Sequence, residues 1–324
     1  MRPASKLKHC QHGRTPCAPT TLPCSCYNTI MKFRCGLLLL LLCVSCSDKH
    51  GIVIGSKNFS EQVILGELFA QYIEEATGVP VERKLNLGGT FVCHKAMTAG
   101  ELDLYVEYTG TALTAILKRP PRSDPEAVYQ EVKQAYHDQF HLEWTEPLGF
   151  NNTFAIIIRG DEARRLGIKT ISQAAQYTPQ WKAGFGYEFM ERKDGFPGLA
   201  QTYGLKFADP PKVMDLTLTY RAAAEKHVDF IAGNSTDGII SKLDLVVLED
   251  DKHYFPPYEA APVVREETLQ KTPGLREALK KLGGKISEDQ MRTLNYQVDV
   301  EHKDVKQVVR DFLKNIKNQI SKIK

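Results

Sequence analysis

The chain has 324 residues, of which 42% are hydrophobic and 25% are charged. This is the composition of a globular protein with room for two α/β domains of ordinary size. Six of the 42 basic residues and none of the 39 acidic residues lie within positions 1–45, so the formal net charge of +3 becomes −3 for the rest of the chain. A nucleic-acid-binding protein needs a basic face, and the composition therefore argues against nucleic acid as a partner.

The N-terminus carries the pattern of a secretion signal. Residues 31–45 hold a basic start and an apolar run that is too short to span a membrane, which is typical of a signal peptide. The run ends in LCVSC, which resembles a bacterial lipobox and predicts a periplasmic or cell-surface protein attached to the membrane only through a lipid on Cys46. An ordinary secretory signal, in which Cys46 is incidental, is the alternative. Residues 1–30 match no targeting pattern, and we interpret Met31 as the true start.

Cysteine usage changes at the same boundary. Seven of the eight cysteines lie in the first 46 residues, and only Cys93 follows them. The pair Cys24 and Cys26 has no further His or Cys at the spacing of a zinc site, so we predict no metal there. Because Cys93 has no disulfide partner and falls on a predicted helix, we interpret it as a packing residue.

Strands and helices alternate from residue 52 onward, which is typical of a parallel, doubly wound α/β sheet. The predicted elements of this part are a strand at 52–55, a helix capped by Ser60 and ended by Gly78, a strand at 81–87, a helix at 90–99 and a strand at 102–106. The first helix has apolar residues at i, i+3, i+4 and i+7, the stripe of a helix that packs against a sheet.

The stretch GELDLYVEYTGT at 100–111 locates a candidate binding edge. Apolar residues alternate with others up to Val106, Tyr108 stands just past the predicted strand, and Thr111 is predicted to cap the next helix. Ligands of open α/β sheets bind outside the carboxyl ends of the strands. An aromatic ring beside the free N–H groups of a helix start suits a ligand with a cationic end and an anionic end.

A second stretch, HVDFIAGNST at 227–236, repeats this layout. Laid over the first stretch, it places Asn234 where Tyr108 falls. We therefore predict two α/β units that each contribute one side chain to a shared cleft.

The remaining pattern indicates where the chain passes between these units. We interpret the loop at 149–152 as a first crossing and the proline-rich segment at 254–264 as the return. The predicted organisation is a leader at 1–45, a first domain at 46–150 and 259–324, and a second domain at 151–258 of a monomeric protein. Two doubly wound lobes joined by two crossings form a hinged cleft, for which closure over a ligand is the expected motion.

His137 and His141 are the best candidates for a catalytic metal site. Two histidines at i, i+4 on a helix can bind Zn²⁺, with an acid between them as general base. Asp138 is one methylene shorter than the usual Glu, the pair lies at a predicted helix end, and no third ligand is evident. Two solvated surface histidines are the simpler interpretation, and a secreted zinc hydrolase is the remote alternative.

Other enzyme motifs are missing from the sequence. It contains no G-x-S-x-G motif, no phosphate-binding glycine loop and no dinucleotide fingerprint. The sequence therefore favours a binding protein without a cofactor over an enzyme.

Four side chains suit a ligand that has a cationic end and an anionic end. Lys57 and Arg192 fall on predicted loops that face the cleft, and Tyr108 and Tyr258 are aromatic rings near it. Taken singly, each is as easily a solvated charge or a structural ring. Taken together, rings for a cation and Lys, Arg and helix N-termini for a carboxylate indicate a zwitterionic ligand.

Seven motifs, in order along the chain, carry a family resemblance. They are GSKNFSEQ (55–62), GGTFVCHKAM (88–97), YVEYTGT (105–111), EPLGFNNTFAI (146–156), ERKDGFPGL (191–199), NSTDG (234–238) and LEDDKHYFPPYEAAPVV (248–264). From about Ile52 to the C-terminus the chain resembles the substrate-binding proteins of osmoprotectant ABC importers, which bind glycine betaine, choline or carnitine. The resemblance implies a two-lobed periplasmic-binding-protein fold (type II-like), capture of a small quaternary amine, and its delivery to the subunits of an ABC permease.

The resemblance also implies ligand contacts. In that family an aromatic box holds the trimethylammonium group, and nearby Lys, Arg and Thr hold the carboxylate of the ligand. Matched motif by motif, Tyr108 and Tyr258 fall on box positions, and Lys57, Thr111 and Arg192 fall on carboxylate positions.

Two positions depart from the family pattern. Phe154 stands where the motif usually has Tyr, which keeps the π face and loses the hydroxyl. Asn234 stands where the betaine binders usually have the fourth ring, and an amide offers no π face. We hypothesise that this wall admits a bulkier trimethylated amine such as ergothioneine or carnitine. The alternative is that a neighbouring ring, Tyr105 or Tyr220, restores the box.

Overall fold

The computed structural model of the protein describes residues 51–321. The predicted signal peptide, the proposed start at Met31 and the predicted lipid attachment at Cys46 lie outside the described residues. Between residues 51 and 321, no helix combines the length and the apolar character that a membrane span requires.

The described residues form two mixed β-sheets, each packed against helices. The strands are β1 (Ile52–Lys57), β2 (Val81–Gly88), β3 (Leu104–Tyr108), β4 (Leu142–Trp144), β5 (Phe154–Arg159), β6 (Ala183–Phe185), β7 (Lys212–Val213), β8 (Phe230–Asn234), β9 (Leu245–Leu248) and β10 (Ala260–Arg265). The helices are α1 (Ser60–Thr77), α2 (Thr90–Thr98), α3 (Thr109–Thr111), α4 (Pro125–Phe140), α5 (Gly160–Leu166), α6 (Ile171–Ala174), α7 (Tyr187–Glu191), α8 (Phe196–Tyr203), α9 (Leu216–Ala224), α10 (Ile239–Lys242), α11 (Glu266–Lys271), α12 (Leu275–Leu282), α13 (Glu288–Asp299) and α14 (Val305–Ser321). A π-helix at Ala112–Ile116 and a 3₁₀-helix at Thr178–Gln180 complete the set.

The strands divide into two five-stranded sheets of matching topology. The first sheet has the order β2-β1-β3-β10-β4, and the second has the order β7-β6-β8-β5-β9. We call the first sheet and its packed helices lobe 1, and the second sheet and its helices lobe 2. Each lobe therefore has a central strand, β3 or β8, flanked by a parallel strand on one side and an antiparallel strand on the other.

The parallel arrangement predicted from the alternating elements that begin at residue 52 is confirmed for β1, β2 and β3, whereas each sheet also contains an antiparallel strand that the sequence did not predict. β10 runs antiparallel to β3 and β4, and β5 runs antiparallel to β8 and β9. Both are the first strands after the chain has changed lobe. Each starts beside the carboxyl end of a central strand, with Ala260 opposite Tyr108 and Phe154 opposite Asn234, and so must run away from that end.

The two connections between the lobes are bonded to each other. Asn151 forms an isolated antiparallel bridge with Glu259, and the backbone N–H of Asn152 donates to the carbonyl of Tyr258 at 3.0 Å. The Asn151 side chain accepts from the Tyr258 N–H at 2.6 Å. These paired segments run between the two sheets, where the sequence predicted the chain to cross.

Two predicted helix caps were wrong. The residue before α1 is Phe59, which makes no capping bond, and Ser60 lies inside the helix with its hydroxyl bonded to the Asp299 carboxylate. After β3 the helix begins directly at Thr109, so Thr111 lies inside α3 and Tyr108 takes the capping position. β3 stays paired with β10 through Tyr108 and the helix starts at the next residue, so the chain has no separate turn at Thr-Gly-Thr.

Cys93 is a packing residue, as predicted. It is fully buried on one face of the first sheet, in a core that includes Met97, Leu102 and Trp144. Burial raises the pKa of its thiol to about 12, which keeps the side chain neutral and apolar.

Candidate ligand-binding site

A cavity of about 170 Å³ lies between the lobes at the carboxyl ends of β3 and β8. The end of β1 and the crossing segments form its lobe 1 side, and β8, α7 and the start of α9 form its lobe 2 side. All seven residues that the sequence predicted to bind a ligand line it: Lys57, Tyr108, Thr111, Phe154, Arg192, Asn234 and Tyr258. The structure thus brings together residues that are up to 201 positions apart in the chain.

Aromatic rings from both lobes meet in this cavity. The Phe154 ring lies edge-on to Tyr258, with a centroid distance of 5.7 Å, and edge-on to Phe189, at 4.9 Å. On the lobe 1 side the rings of Tyr108 and Phe59 are nearly parallel, at 6.4 Å. The sequence reasoning missed Phe59 and Phe189, which lie on short polar segments with no strand or helix periodicity to mark them.

The Tyr108 ring is fixed from behind by its hydroxyl. That hydroxyl donates to the Glu61 carboxylate at 2.6 Å and accepts from the Gln62 amide at 3.0 Å. Burial raises the pKa of Tyr108 well above its ordinary value, so the ring stays neutral. The ring can therefore present an aromatic surface to the cavity without rotating away.

Lys57 lies at the cavity with its charge already paired. Its ammonium group is 2.5 Å from the Glu107 carboxylate and 3.2 Å from the Thr90 hydroxyl, and both Lys57 and Glu107 are buried. The same ammonium lies 4.4 Å from the centroid of the Tyr108 ring. The sequence reasoning did not identify Glu107, although a lone acid inside the apolar strand YVEY is a signal of a buried partner.

Arg192 forms a buried ion pair within lobe 2 and contacts lobe 1 through Thr111. Its guanidinium group binds Asp194 in two-pronged fashion, through Nε at 2.9 Å and through Nη2. Its two Nη atoms each lie 3.2 Å from the Thr111 hydroxyl of lobe 1. The guanidinium carbon is 5.0 Å from the centroid of the Phe154 ring.

Asp194 is the acceptor that organises this corner of the site. Besides Arg192 it accepts hydrogen bonds from the Thr114 hydroxyl at 2.6 Å and from the Tyr258 hydroxyl at 2.9 Å. Burial alone would raise the pKa of Asp194, but the hydrogen bonds and charge of Arg192 outweigh it and hold the pKa below its ordinary value. Asp194 therefore stays ionised and fixes both a predicted cation and a predicted ring.

Asn234 is anchored by a second buried acid. Its side-chain NH₂ donates to Asp237 at 3.2 Å, and its backbone N–H lies 3.1 Å from both the Asp237 carboxylate and the Tyr220 hydroxyl. Asp237 as a whole is half-buried, but its carboxyl group is buried. This burial raises the pKa of Asp237 to about 7, although the hydrogen bond from Tyr220 acts to lower the pKa.

The rings suggested as substitutes for the missing fourth wall do not line the cavity. Tyr220 is buried beside Asn234, with its hydroxyl bonded to Asp237. Tyr105 is buried in the lobe 1 core, with its hydroxyl 3.3 Å from Glu107. Both rings are held by buried acids, so neither is free to swing in.

His137 and His141 lack the geometry that a chelating pair requires. α4 ends at Phe140, and His141 lies past this end in the left-handed conformation, with φ of 55°. His137 is exposed and contacts Asp138 and Glu266. Between residues 51 and 321, no group of three or more His, Cys, Asp or Glu side chains is arranged to hold a metal ion.

The sequence matches a known family. Residues 50–315 match the family described as the substrate binding domain of ABC-type glycine betaine transport system.

Curated relatives carry related names. One is the ergothioneine transport permease/ergothioneine binding protein EgtU of Helicobacter pylori, 37% identical over 83% of this chain, which spans 48% of that relative. Another is the carnitine transport binding protein OpuCC of Listeria monocytogenes, 36% identical over 82% of this chain and 87% of the relative. A glycine-betaine-binding protein of Pseudomonas aeruginosa is 34% identical over 89% of this chain and 94% of its own length.

The fold also has solved counterparts. A crystal structure described as a glycine betaine/carnitine/choline ABC transporter is 33% identical, covers 82% of this chain and 98% of its own, and has a TM-score of 0.68. A choline-binding protein in complex with choline, 13% identical, covers 83% of this chain and 90% of its own with a TM-score of 0.59, which is a likeness of fold.

Proposed function

This chain belongs to the family of substrate-binding domains of ABC-type glycine betaine transport systems, and we propose from this that it captures a small quaternary ammonium compound outside the cytoplasm and delivers it to an ABC permease. The family consists of substrate-binding transport proteins rather than enzymes. The compounds we propose are glycine betaine, choline, carnitine or a similar trimethylated amine.

One observation carries the proposal. Rings from both lobes meet around a single cavity that is also lined by Arg192, whose guanidinium group has one N–H donor available for a ligand. Arg192 has five N–H donors. Among the described residues, Asp194 and Thr111 accept hydrogen bonds from four of them. The remaining N–H, on Nη1, can donate to an oxygen of the ligand.

The two ends of a betaine match this arrangement. Phe154, Tyr258 and Tyr108 would receive the trimethylammonium group, because the face of an aromatic ring attracts a cation. Arg192 and Thr111 would receive the carboxylate. A desolvated cation–π contact contributes roughly 2 kcal/mol, and micromolar affinity corresponds to about 8 kcal/mol, so three rings and a carboxylate clamp are sufficient.

A second ligand class follows from Asn234. Its NH₂ group is engaged by Asp237, so its carbonyl oxygen is the atom left to accept a hydrogen bond from a ligand. A bulkier trimethylated amine with a donor near its cationic end, such as ergothioneine, would use that acceptor. We therefore retain such a ligand as the alternative on the same scaffold.

Calorimetric titration of the purified protein tests the proposal. Glycine betaine, choline, carnitine and ergothioneine are titrated separately, each beside a matched control compound that carries a primary amine in place of the trimethylammonium group. We expect micromolar or tighter binding of at least one trimethylated compound and at least a hundredfold weaker binding of its control. Absence of binding by all four would refute the proposed function.

The membrane attachment is a separate proposal. We propose that the mature, monomeric protein begins at a lipidated Cys46, on the strength of the lipobox-like sequence. Mass spectrometry of the membrane fraction should show a diacylglyceryl adduct on Cys46. An unmodified N-terminus in a protein recovered from the aqueous fraction would support the ordinary secretory signal instead.

A further inference from the structure

Tyr187 is exposed although it lines the cavity. It is the first residue of α7 in lobe 2, and 62% of its surface is accessible. The other large exposed apolar residues of the described chain do not contact the cavity; they are Leu87, Phe91, Val92, Val213, Leu218 and Val247. Tyr187 therefore stands apart as a ring at the mouth of the site that is not used in any core.

The next residue, Glu188, reaches across the cavity mouth to lobe 1. Its carboxylate accepts a hydrogen bond from the backbone N–H of Thr90, at 2.5 Å, at the start of α2. The N-terminal end of a helix carries a partial positive charge, which favours a carboxylate there. Gly89 makes this approach possible, because a Cβ atom at Gly89 would overlap the Glu188 carboxylate.

The two neighbouring residues are mechanically linked. Tyr187 and Glu188 share a peptide unit, so the contact between Glu188 and Thr90 fixes the backbone that carries the Tyr187 ring. When the lobes separate, Glu188 must leave Thr90 and the ring must move off the mouth with lobe 2. The Tyr187 ring thus reaches its position over the cavity only when the lobes meet.

The charge at this side of the cavity suits a cation. The carboxylates of Glu188 and Asp215 both belong to cavity-lining residues of lobe 2, and Asp215 also accepts from the N–H of Thr217 at 2.9 Å. Both predicted cations, Lys57 and Arg192, are paired with acids elsewhere. The mouth therefore combines a ring with two carboxylates, each of which accepts a hydrogen bond from a backbone N–H at the start of a helix.

We propose that Tyr187 is a further ligand-binding residue that closes over the quaternary ammonium group, and that Glu188 positions it by docking on the start of α2. This ring comes from lobe 2, the lobe whose strand end carries Asn234 in place of a ring. The inference rests on the proposed function, because it assumes a quaternary ammonium ligand.

Binding kinetics test the proposal. The probe is whichever of glycine betaine, choline, carnitine and ergothioneine binds the wild type most tightly. Tyr187→Ala is expected to raise the Kd at least tenfold, mainly through faster dissociation, whereas Tyr187→Phe should stay within threefold of wild type. Leu218→Ala, which removes an exposed lobe 2 side chain that does not line the cavity, is the matched control and should leave the Kd unchanged.

A reporter variant tests the role of Glu188. Tyr187→Trp places a fluorophore at the mouth, and both native tryptophans, Trp144 and Trp181, are buried. Binding of the quaternary ammonium compound should shift the tryptophan emission of this variant. In the double variant with Glu188→Ala, we expect no shift, and dissociation of the compound should be at least fivefold faster. A purely structural role for Glu188 would change the unfolding transition without changing the emission response.

The outcomes separate this inference from the proposed function. If the wild type binds none of the four compounds, the proposed function fails. If the wild type binds one of them and Tyr187→Ala binds it within twofold of wild type, only the inference is overturned. Because Tyr187 is exposed, we expect the variant to fold, and an unchanged unfolding midpoint would establish that its affinity is interpretable.

Discussion

The central strands of the two lobes end in the same way and present different chemistry. β3 ends at Tyr108 and β8 ends at Asn234, and each end lies opposite the first residue of the strand that follows a crossing. Behind each end lies a buried acid, Glu61 for Tyr108 and Asp237 for Asn234. Lobe 1 therefore presents an aromatic ring to the cavity and lobe 2 presents an amide, from strand ends with equivalent backbone pairing.

Because the two strand ends share the same backbone arrangement, the chemistry that each presents to a ligand depends on its terminal side chain and on the buried acid bonded to that residue. The acid in lobe 1 is the more heavily bonded. Glu61 accepts hydrogen bonds from Tyr108, from Asn152 of the crossing at 2.8 Å, from Asn295 of α13 at 3.1 Å and from Thr236 of lobe 2. Burial raises the pKa of Glu61 above its ordinary value, and these hydrogen bonds oppose the rise.

The largest expected effect comes from removing that acid. Glu61→Ala removes the acceptor of four hydrogen bonds, and although the Asn295 amide keeps another acceptor in the Thr236 carbonyl, each orphaned buried donor costs about 1–3 kcal/mol. We expect urea denaturation to show a loss of at least about 3 kcal/mol in the free energy of unfolding. Glu82→Ala, at an exposed position on β2, is the control and should change it by less than about 0.5 kcal/mol. Equal effects of the two substitutions would contradict the role given to Glu61.

The second prediction concerns the ring in lobe 1. Tyr108→Ala and Tyr258→Ala should each weaken binding of the preferred quaternary amine at least tenfold, which is about 1.4 kcal/mol and lies within the range of one desolvated cation–π contact. Tyr108→Phe keeps the ring and loses only the hydroxyl bonds to Glu61 and Gln62, so it should stay closer to wild type in calorimetry. Unchanged affinity in both alanine variants would remove these residues from the site.

The third prediction is a pH effect from the acid in lobe 2. Burial raises the pKa of Asp237 from its ordinary value near 4 to about 7 in the folded state. Between these values the unfolded chain binds fewer protons than the folded protein, so the contribution of this group to stability falls as pH rises from about 4 to about 7. Above pH 8 its contribution no longer changes.

Asp237→Asn isolates this effect. The unfolding free energy of the wild type minus that of the variant should decrease between pH 4 and pH 7 and then level off. Denaturant unfolding at four pH values measures it, and the difference removes the contributions of titrating groups that do not interact with Asp237. The coupling of Asp237 to Glu61 and Asp299 is part of the measured effect. A difference that is constant across the series would show that Asp237 titrates normally in the folded protein.

The sequence predicted the parts of the site that sit at the ends of regular elements. Tyr108 and Asn234 were located by the alternation of apolar residues in the strands before them. Outside the site, the packing role of Cys93 was predicted from its place on a helix. The direction of β5 and β10 was not predictable, because periodicity marks a strand without indicating which neighbour it pairs with.

The acids behind the site were not predicted for a related reason. Glu61, Asp194 and Asp237 lie at helix starts and turns, where an acidic residue is ordinarily solvated, so composition gives no sign of their burial. Only the meeting of segments far apart in the chain encloses them. Glu61 alone is contacted by donors 47, 91, 175 and 234 positions away.

The most direct test exchanges the chemistry of one strand end for that of the other. Asn234→Tyr puts a ring at the end of β8, and wild type and variant are titrated in competition with glycine betaine and ergothioneine. If the amide wall sets specificity, the wild type binds the bulkier amine more tightly and the variant reverses this order. If the wild type prefers glycine betaine and the variant ranks the two ligands in the same order, the side chain at this strand end does not determine what the protein binds.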